Sequence, residues 1–201
     1  LLKKAKEKQA VTVVNTGYDS LNEKKNPGKP WPLGASQETY RYIDLLITDM
    51  EEALRLSGST AIEEAMAFFQ GTGVGAVIVT FGANPLYYFC DNELFGRAEG
   101  SQPVSEKIKN MIIQSPEKVG DTTGCGDNFA GGVIAAIAKQ AMNRPEERLD
   151  LQDAIAFGTA SGGYACFYHG GTFYEDYPGQ KRELIKPFYH DFLRQIGGEW
   201  K

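Results

Sequence analysis

Soft metal ligands are scarce in this sequence: 201 residues contain two histidines and three cysteines. Cys90, Cys125 and Cys166 are far apart and odd in number, which fits a reducing, cytoplasmic setting better than a disulfide framework. Cys166 and His169 have the spacing of two helical ligands, but no second pair completes a tetrahedral site, and packing is the better reading. Positive charge is not in excess either. A net charge of −5 argues against a dedicated nucleic-acid or anionic-membrane surface. No apolar run approaches a membrane span; the longest, residues 131–138, is short and rich in small residues. There is no Walker A loop, no H-E-x-x-H and no G-x-S-x-G. The first nine residues are dominated by lysine rather than by an apolar core, so no secretory leader is expected there. The chain opens on Leu1-Leu2 and a helix-like segment, as though entered in mid-domain.

What is present is a globular composition, 42% hydrophobic and 23% charged, in a chain long enough for a substantial core. Residues 1–9 read as an amphipathic helix, and Val11-Thr12-Val13-Val14 as a short buried strand. Residues 15–34 read as a long polar loop, and loops of that length are usually functional, which makes its Trp31 a candidate for acceptor recognition. A helix or turn at 36–42 precedes a strand at 45–48 and a helix at 51–56 that stops at Ser57-Gly58. A helix at 60–70, a strand at 76–80, a turn at 82–85 and a strand at 86–90 follow. Residues 92–117 show only some strand character at Met111-Ile112-Ile113. Helices are expected at 127–142, 151–168 and 181–195. Gly71-Thr72-Gly73-Val74-Gly75 precedes a strand instead of following one, so it is a helix-to-strand connection rather than a dinucleotide fingerprint. The alternation predicts an α/β fold with a mostly parallel sheet and helices on both faces, read as one domain over 1–201.

The most informative stretch is Asp121-Thr122-Thr123-Gly124-Cys125-Gly126-Asp127-Asn128-Phe129-Ala130-Gly131-Gly132. Backbone N–H groups at Gly124, Cys125 and Gly126 can approach an anion closely, since two of the three residues lack a Cβ. The helix that follows points its N-terminal dipole at the same anion. Asp127 lies in the first turn, where the dipole favours the ionised form needed in a base facing a hydroxyl.

This run resembles the second signature of the ribokinase-like (PfkB) carbohydrate kinases, close to D-T-x-G-A-G-D-x-F-x-G-G, with Cys125 where the family usually has alanine. The resemblance implies a three-layer ribokinase-like sandwich, Asp127 as base, and Gly124, Cys125 and Gly126 as the anion hole for the transferred phosphoryl group. Asp121 and Thr123 resemble positions that hold a monovalent cation, often K⁺, in some members. The stretch from Asp44 to Ala53 resembles the strand followed by N-x-x-E that organises Mg²⁺ and phosphates. Asp49 stands at the asparagine position and adds a negative charge, while Glu52 keeps the glutamate, which would act on Mg²⁺ through water. A helix N-cap at Asp49 with first-turn acids is the alternative. Thr80 and Gly82 resemble the family's T-x-G nucleotide strand, with Pro85 at the usual second glycine. Residues 156–163 and Gly170-Gly171-Thr172 resemble the segments flanking the adenine, and close helix packing explains their small residues equally well. The aromatics at 167–177 read as core.

The implied reaction is transfer of the ATP γ-phosphoryl group to a hydroxyl of a small sugar or sugar derivative, with ATP and Mg²⁺ as cofactors. A nucleoside kinase is the narrower alternative, and a catalytically silent ATP-binding or assembly module the alternative of another class. The family's sugar-binding part and first signature have no counterpart, so the chain is expected to be the C-terminal, nucleotide-side portion of a kinase. Its partners would be the sugar and the missing N-terminal part of the same protein, with a homodimer left open.

Overall fold

A computed structural model describes residues 1–143 and 146–197, arranged as two compact units, Leu1–Ser101 and Gln102–Lys201. The first unit carries the sheet. Helix α1 (Leu2–Glu7) leads to strand β1 (Val13–Asn15), helix α2 (Ser20–Lys25), a 3₁₀ segment at Gln37–Tyr42 and strand β2 (Leu45–Asp49). Helices α3 (Met50–Ser57) and α4 (Ile62–Thr72) then precede strands β3 (Ala76–Phe81), β4 (Asn84–Asn92) and β5 (Gly96–Gln102). The strands lie in the order β1-β2-β3-β4-β5. Pairing is parallel between β1 and β2 and between β2 and β3, then antiparallel between β3 and β4. The switch follows from the connections: helices cross between parallel neighbours, whereas Gly82-Ala83 leave room only for a tight hairpin.

Leu46, Val77, Val79 and Phe89 pack with Ala53, Leu56, Ala65 and Phe69 of α3 and α4 in one buried cluster. Leu45, Ile47, Ala76 and Ile78, the alternate set on the same strands, are equally buried, the near-continuous apolar pattern of a covered parallel sheet. Burial of each large side chain contributes roughly 1.5–3 kcal/mol. Asp44 anchors the start of β2: its carboxylate accepts from Lys6 Nζ at 2.6 Å and from Thr12 N at 2.8 Å. Gly75, in the α4-to-β3 connection, is confined sterically, since a Cβ there would lie 2.2 Å from Asn92 Nδ2 and 2.9 Å from the Asp44 carbonyl.

The second unit is helical: α5 (Glu106–Gln114), α6 (Cys125–Asn143), α7 (Leu151–Tyr164) and α8 (Gln180–Gln195), with 3₁₀ turns at Pro116–Lys118 and Ala165–Phe167. Helices α6 and α7 approach through glycine. A Cβ on Gly158 would meet Val133 Cγ2 at 2.6 Å, and one on Gly132 would meet Ser161 Cβ at 2.8 Å. The aromatics Tyr164, Phe167, Tyr168, Phe173 and Phe188 form a contiguous cluster, as read for the first part of the 167–177 stretch. Tyr174 and Tyr177 depart from that reading and are exposed.

Three local expectations are corrected. Residues 111–113 are helical within α5, whose N-cap Ser105 accepts from Ile108 N; Ile108 is buried while Ile113 is exposed, so the apolar residues serve a helical face rather than a strand. The 15–34 loop contains α2, capped by Asp19. Its Trp31 is core: it is 5% exposed, its Nε1 donates to Glu23 at 3.0 Å and its backbone N–H donates to the Arg55 carbonyl at 2.9 Å.

Candidate functional site

In the first unit the candidates gather where β2 and β3 end. Asp49 and Thr80 are register partners on neighbouring strands, and Gly82 follows in the hairpin turn with φ +55. Asp49 is the N-cap of α3. Its Oδ1 accepts from Glu52 N at 2.8 Å, and Glu52 Oε2 accepts in return from Asp49 N at 3.3 Å, a reciprocal capping box. Glu52 is buried, with the same Oε2 accepting from Thr16 Oγ1 at 2.5 Å and from Thr48 Oγ1 at 3.4 Å. A buried carboxylate is tolerated only when hydrogen-bonded in this way. Glu52 therefore braces the strand-to-helix junction, and Asp49 is the carboxylate that meets solvent. The Thr80 hydroxyl donates to the Thr48 carbonyl at 3.4 Å.

Asp49, Thr80 and Gly82 line a single groove of about 730 Å³ whose other walls include Lys29, Pro30, Leu54 and Arg55. The two basic residues were not legible as site residues, because neither falls in a motif. Arg55 also pairs with Glu23 at 3.4 Å.

The second unit holds the Gly-rich run. Asp121 ties its start: Oδ1 accepts from Thr123 N at 2.8 Å and Oδ2 from Gly170 N at 3.3 Å, with His169 Nδ1 at 3.8 Å from the same Oδ2. The N–H of Thr123, and then that of Gly170, hold the Asp121 carboxyl below its usual range. Both oxygens of Asp121 thus serve the backbone, and among the described residues no group of three or more His, Cys, Asp or Glu gathers as a metal site. Gly124 adopts φ +76, and a Cβ there would stand 2.3 Å from Gly171 Cα; only glycine fits on both counts. Residues 124 and 171 are thereby brought together.

Asn128, buried under this turn, joins the pieces. Its Nδ2 donates to the Gly124 carbonyl at 2.8 Å and to the Gly171 carbonyl at 2.9 Å, while its Oδ1 accepts from Tyr168 OH at 3.2 Å and from Lys181 Nζ. Asn128 occupies a variable position of the motif, so no spacing argument singled it out. Burial lowers the Lys181 ammonium below its usual value. Cys125 N donates to the Thr122 carbonyl at 3.2 Å, and among the described residues the N–H groups of Gly124 and Gly126, the other two expected at the anion hole, have no partner outside the helix. Asp127 is exposed in the first turn of α6 and, among the described residues, no hydrogen bond or ion pair engages its carboxylate.

The Cys125 and Cys166 sulfurs lie 3.5 Å apart. The thiol hydrogen bond from Cys125 lowers Cys166 to about 7 and raises Cys125, which burial raises further.

The family model for pfkB family carbohydrate kinases matches residues 2–176. The chain belongs to the PfkB family. Over 132 residues it is 28% identical to the ribokinase of Haemophilus influenzae, covering 63% of this chain and 35% of that protein. Over 121 residues it is 27% identical to the cytidine kinase of Thermococcus kodakarensis, covering 59% of this chain and 38% of that one. Among solved structures, an Escherichia coli protein assigned as a ribokinase II, in complex with ATP and Mg²⁺, shares the fold at TM-score 0.59 and 21% identity, covering 94% of this chain and 51% of that one. This PfkB chain thus spans little more than a third of the curated relatives and about half of the structural one.

Proposed function

We propose that this chain is the nucleotide-side portion of a ribokinase-like kinase, which in its full length transfers the γ-phosphoryl group of ATP to a hydroxyl of a small sugar or sugar derivative. The carrying observation is the start of α6, where a turn that requires glycine at 124 presents the N–H groups of Gly124 and Gly126, unpartnered outside the helix among the described residues, beside the exposed carboxylate of Asp127, which no described residue engages. That pairing suits phosphoryl transfer, in which positioning and electrostatics supply most of the rate. Gly124 and Gly126, aided by the helix dipole, would hold the equatorial oxygens of the transferred group. Asp127 would accept the proton of the acceptor hydroxyl. Gly171, packed on Gly124, would border the adenine.

The first-unit groove is large enough for a nucleotide, with Lys29 and Arg55 available to a polyphosphate beside the acids Asp49 and Glu51, and Thr80 and Gly82 at the strand ends. The exposed Asp49 carboxylate suits a hydrated Mg²⁺, with Glu52 holding Asp49 in place and not ligating. When bound, Mg²⁺ neutralises the developing phosphate charge. The similarity to a cytidine kinase keeps a nucleoside acceptor as the second reading.

The test is ATP-dependent phosphorylation of a panel of sugars and nucleosides by the longer protein that contains this chain, wild type and Asp127→Asn. Turnover of at least one acceptor, reduced on the order of 10²–10⁴-fold in the variant with little change in ATP affinity, is the expected result. A variant as active as the wild type removes Asp127 as the base. Nucleotide binding without turnover of any acceptor replaces the enzyme by a silent ATP-binding module.

A further inference from the structure

The short approach of two sulfurs at the Gly-rich turn has no part in phosphoryl transfer. Cys125 is the first residue of α6, and Cys166 sits in the 3₁₀ turn that ends α7. Their sulfurs are separated by 3.5 Å, whereas a disulfide bond is about 2.05 Å long. Closing that gap takes a movement of about 1.5 Å shared between two side chains. Both residues are only partly buried, so a small oxidant can reach them, while Cys90 is buried in β4. Each belongs to a backbone that frames the turn: Cys125 N donates to the Thr122 carbonyl, and the Cys166 carbonyl accepts from Gly120 N at 2.8 Å. Small-residue packing of α6 on α7 fixes the two positions relative to each other, since Gly162 meets the Cys125 carbonyl within the reach of a single Cβ.

We propose that Cys125 and Cys166 form a reversible disulfide when the protein meets a small hydroperoxide, making the anion-binding turn a site of oxidative modification. In the first step a cysteine sulfur attacks the peroxide O–O bond; the thiol becomes a sulfenic acid and the peroxide leaves as an alcohol, or as water from hydrogen peroxide. In the second step the neighbouring thiol attacks the sulfenic sulfur, the S–S bond forms and one water leaves. Overall two thiols lose two electrons and two protons to one peroxide. A dithiol reductant returns the pair by exchange. Bond formation rests on the sulfur geometry alone. The accompanying loss of turnover rests on the proposed anion hole, because the bond would pull the first residue of α6 toward the end of α7.

The experiment treats the purified chain with hydrogen peroxide, alkylates remaining thiols under denaturing conditions, and maps peptides by mass. The expected result is one alkylated cysteine, Cys90, and a 125–166 cross-linked peptide lighter by two hydrogens, reversed by dithiothreitol. Cys125→Ala, which restores the alanine usual in the family motif, is expected to abolish the cross-link and leave Cys166 alkylated or singly oxidised. Three alkylated cysteines after peroxide, a cross-link between chains, or a Cys166 sulfinic acid without a cross-link would each overturn the proposal. In the longer protein, peroxide is expected to lower turnover reversibly in wild type and not in Cys125→Ala. Cross-linking without that loss removes the anion-hole reading and leaves the dithiol site standing.

Discussion

Helices α3 and α6 both begin with an aspartate in reach of the helix dipole, yet the two carboxylates are in opposite states. Asp49 is engaged by its own helix, bonded to Glu52 N and reinforced by the reciprocal Glu52 contact. Asp127 contacts no hydrogen-bond partner among the described residues, and the work of holding the junction passes to Asn128, Gly124 and Gly171. The dipole favours an anion at both places. Availability is therefore decided by neighbours: a glutamate three residues after the aspartate closes a capping box in α3, whereas a glycine turn bonded through a buried amide leaves the aspartate of α6 free.

The contrast can be broken most strongly at Asp127. With the turnover loss on the order of 10²–10⁴-fold described above, the stability change of Asp127→Asn should stay within about 0.5 kcal/mol, as for an exposed side chain without partners. A large drop in melting temperature would show that Asp127 has a capping role after all. Next in size is Asn128→Ala. Removing the amide takes a partner from the Gly171 carbonyl, the Tyr168 hydroxyl and the part-buried Lys181 ammonium, while the Gly124 carbonyl keeps the bond from the residue-128 N–H. The expected cost is about 1–3 kcal/mol in urea unfolding, since stranding buried polar groups costs more than the bond itself. An unchanged midpoint would mean that water takes over the whole set.

At Asp49 the roles reverse. Asp49→Ala should lower stability by about 1 kcal/mol through loss of the cap, and Asp49→Asn should be nearly neutral because asparagine caps as well as aspartate. Asp49→Asn also deletes a charge from the groove that contains Lys29 and Arg55, so ATP should bind the longer protein more tightly than wild type. Equal losses from both substitutions would show that charge, rather than the capping bond, holds the junction.

The difference in availability was only half legible beforehand. The N-cap read at Asp49 is present, and it takes the form of a capping box with Glu52. The α/β alternation and the three long helices were readable because their apolar periods are long. The 111–113 segment misled, since three apolar residues in a row satisfy a strand as well as one buried and one exposed face of a helix. Trp31 misled for a different reason: a tryptophan in a polar loop has no period to read, and only the fold shows it seated in the α3–α4 cluster. Asn128 and the Cys125–Cys166 approach were invisible because they depend on contacts between residues about 40 positions apart.

The smallest effect is expected at Asp121, and it concerns pH. The N–H groups of Thr123 and Gly170 favour the charged carboxylate in the folded chain, lowering its value below the usual 3.8. A group whose folded value is depressed contributes stability that is present above the unfolded value and lost as pH falls through the folded one. Its contribution is therefore intact at neutral pH and disappears in the acid range below about 4. Melting temperature followed from neutral to acid pH should fall less steeply in Asp121→Asn than in wild type, the two curves converging at the acid end. The effect is modest because Asp121 is solvent-accessible and screened. Curves that stay parallel throughout would mean that the Asp121 contacts to Thr123 and Gly170 are equally good with a neutral side chain, and that the start of the Gly-rich run is held by shape and not by charge.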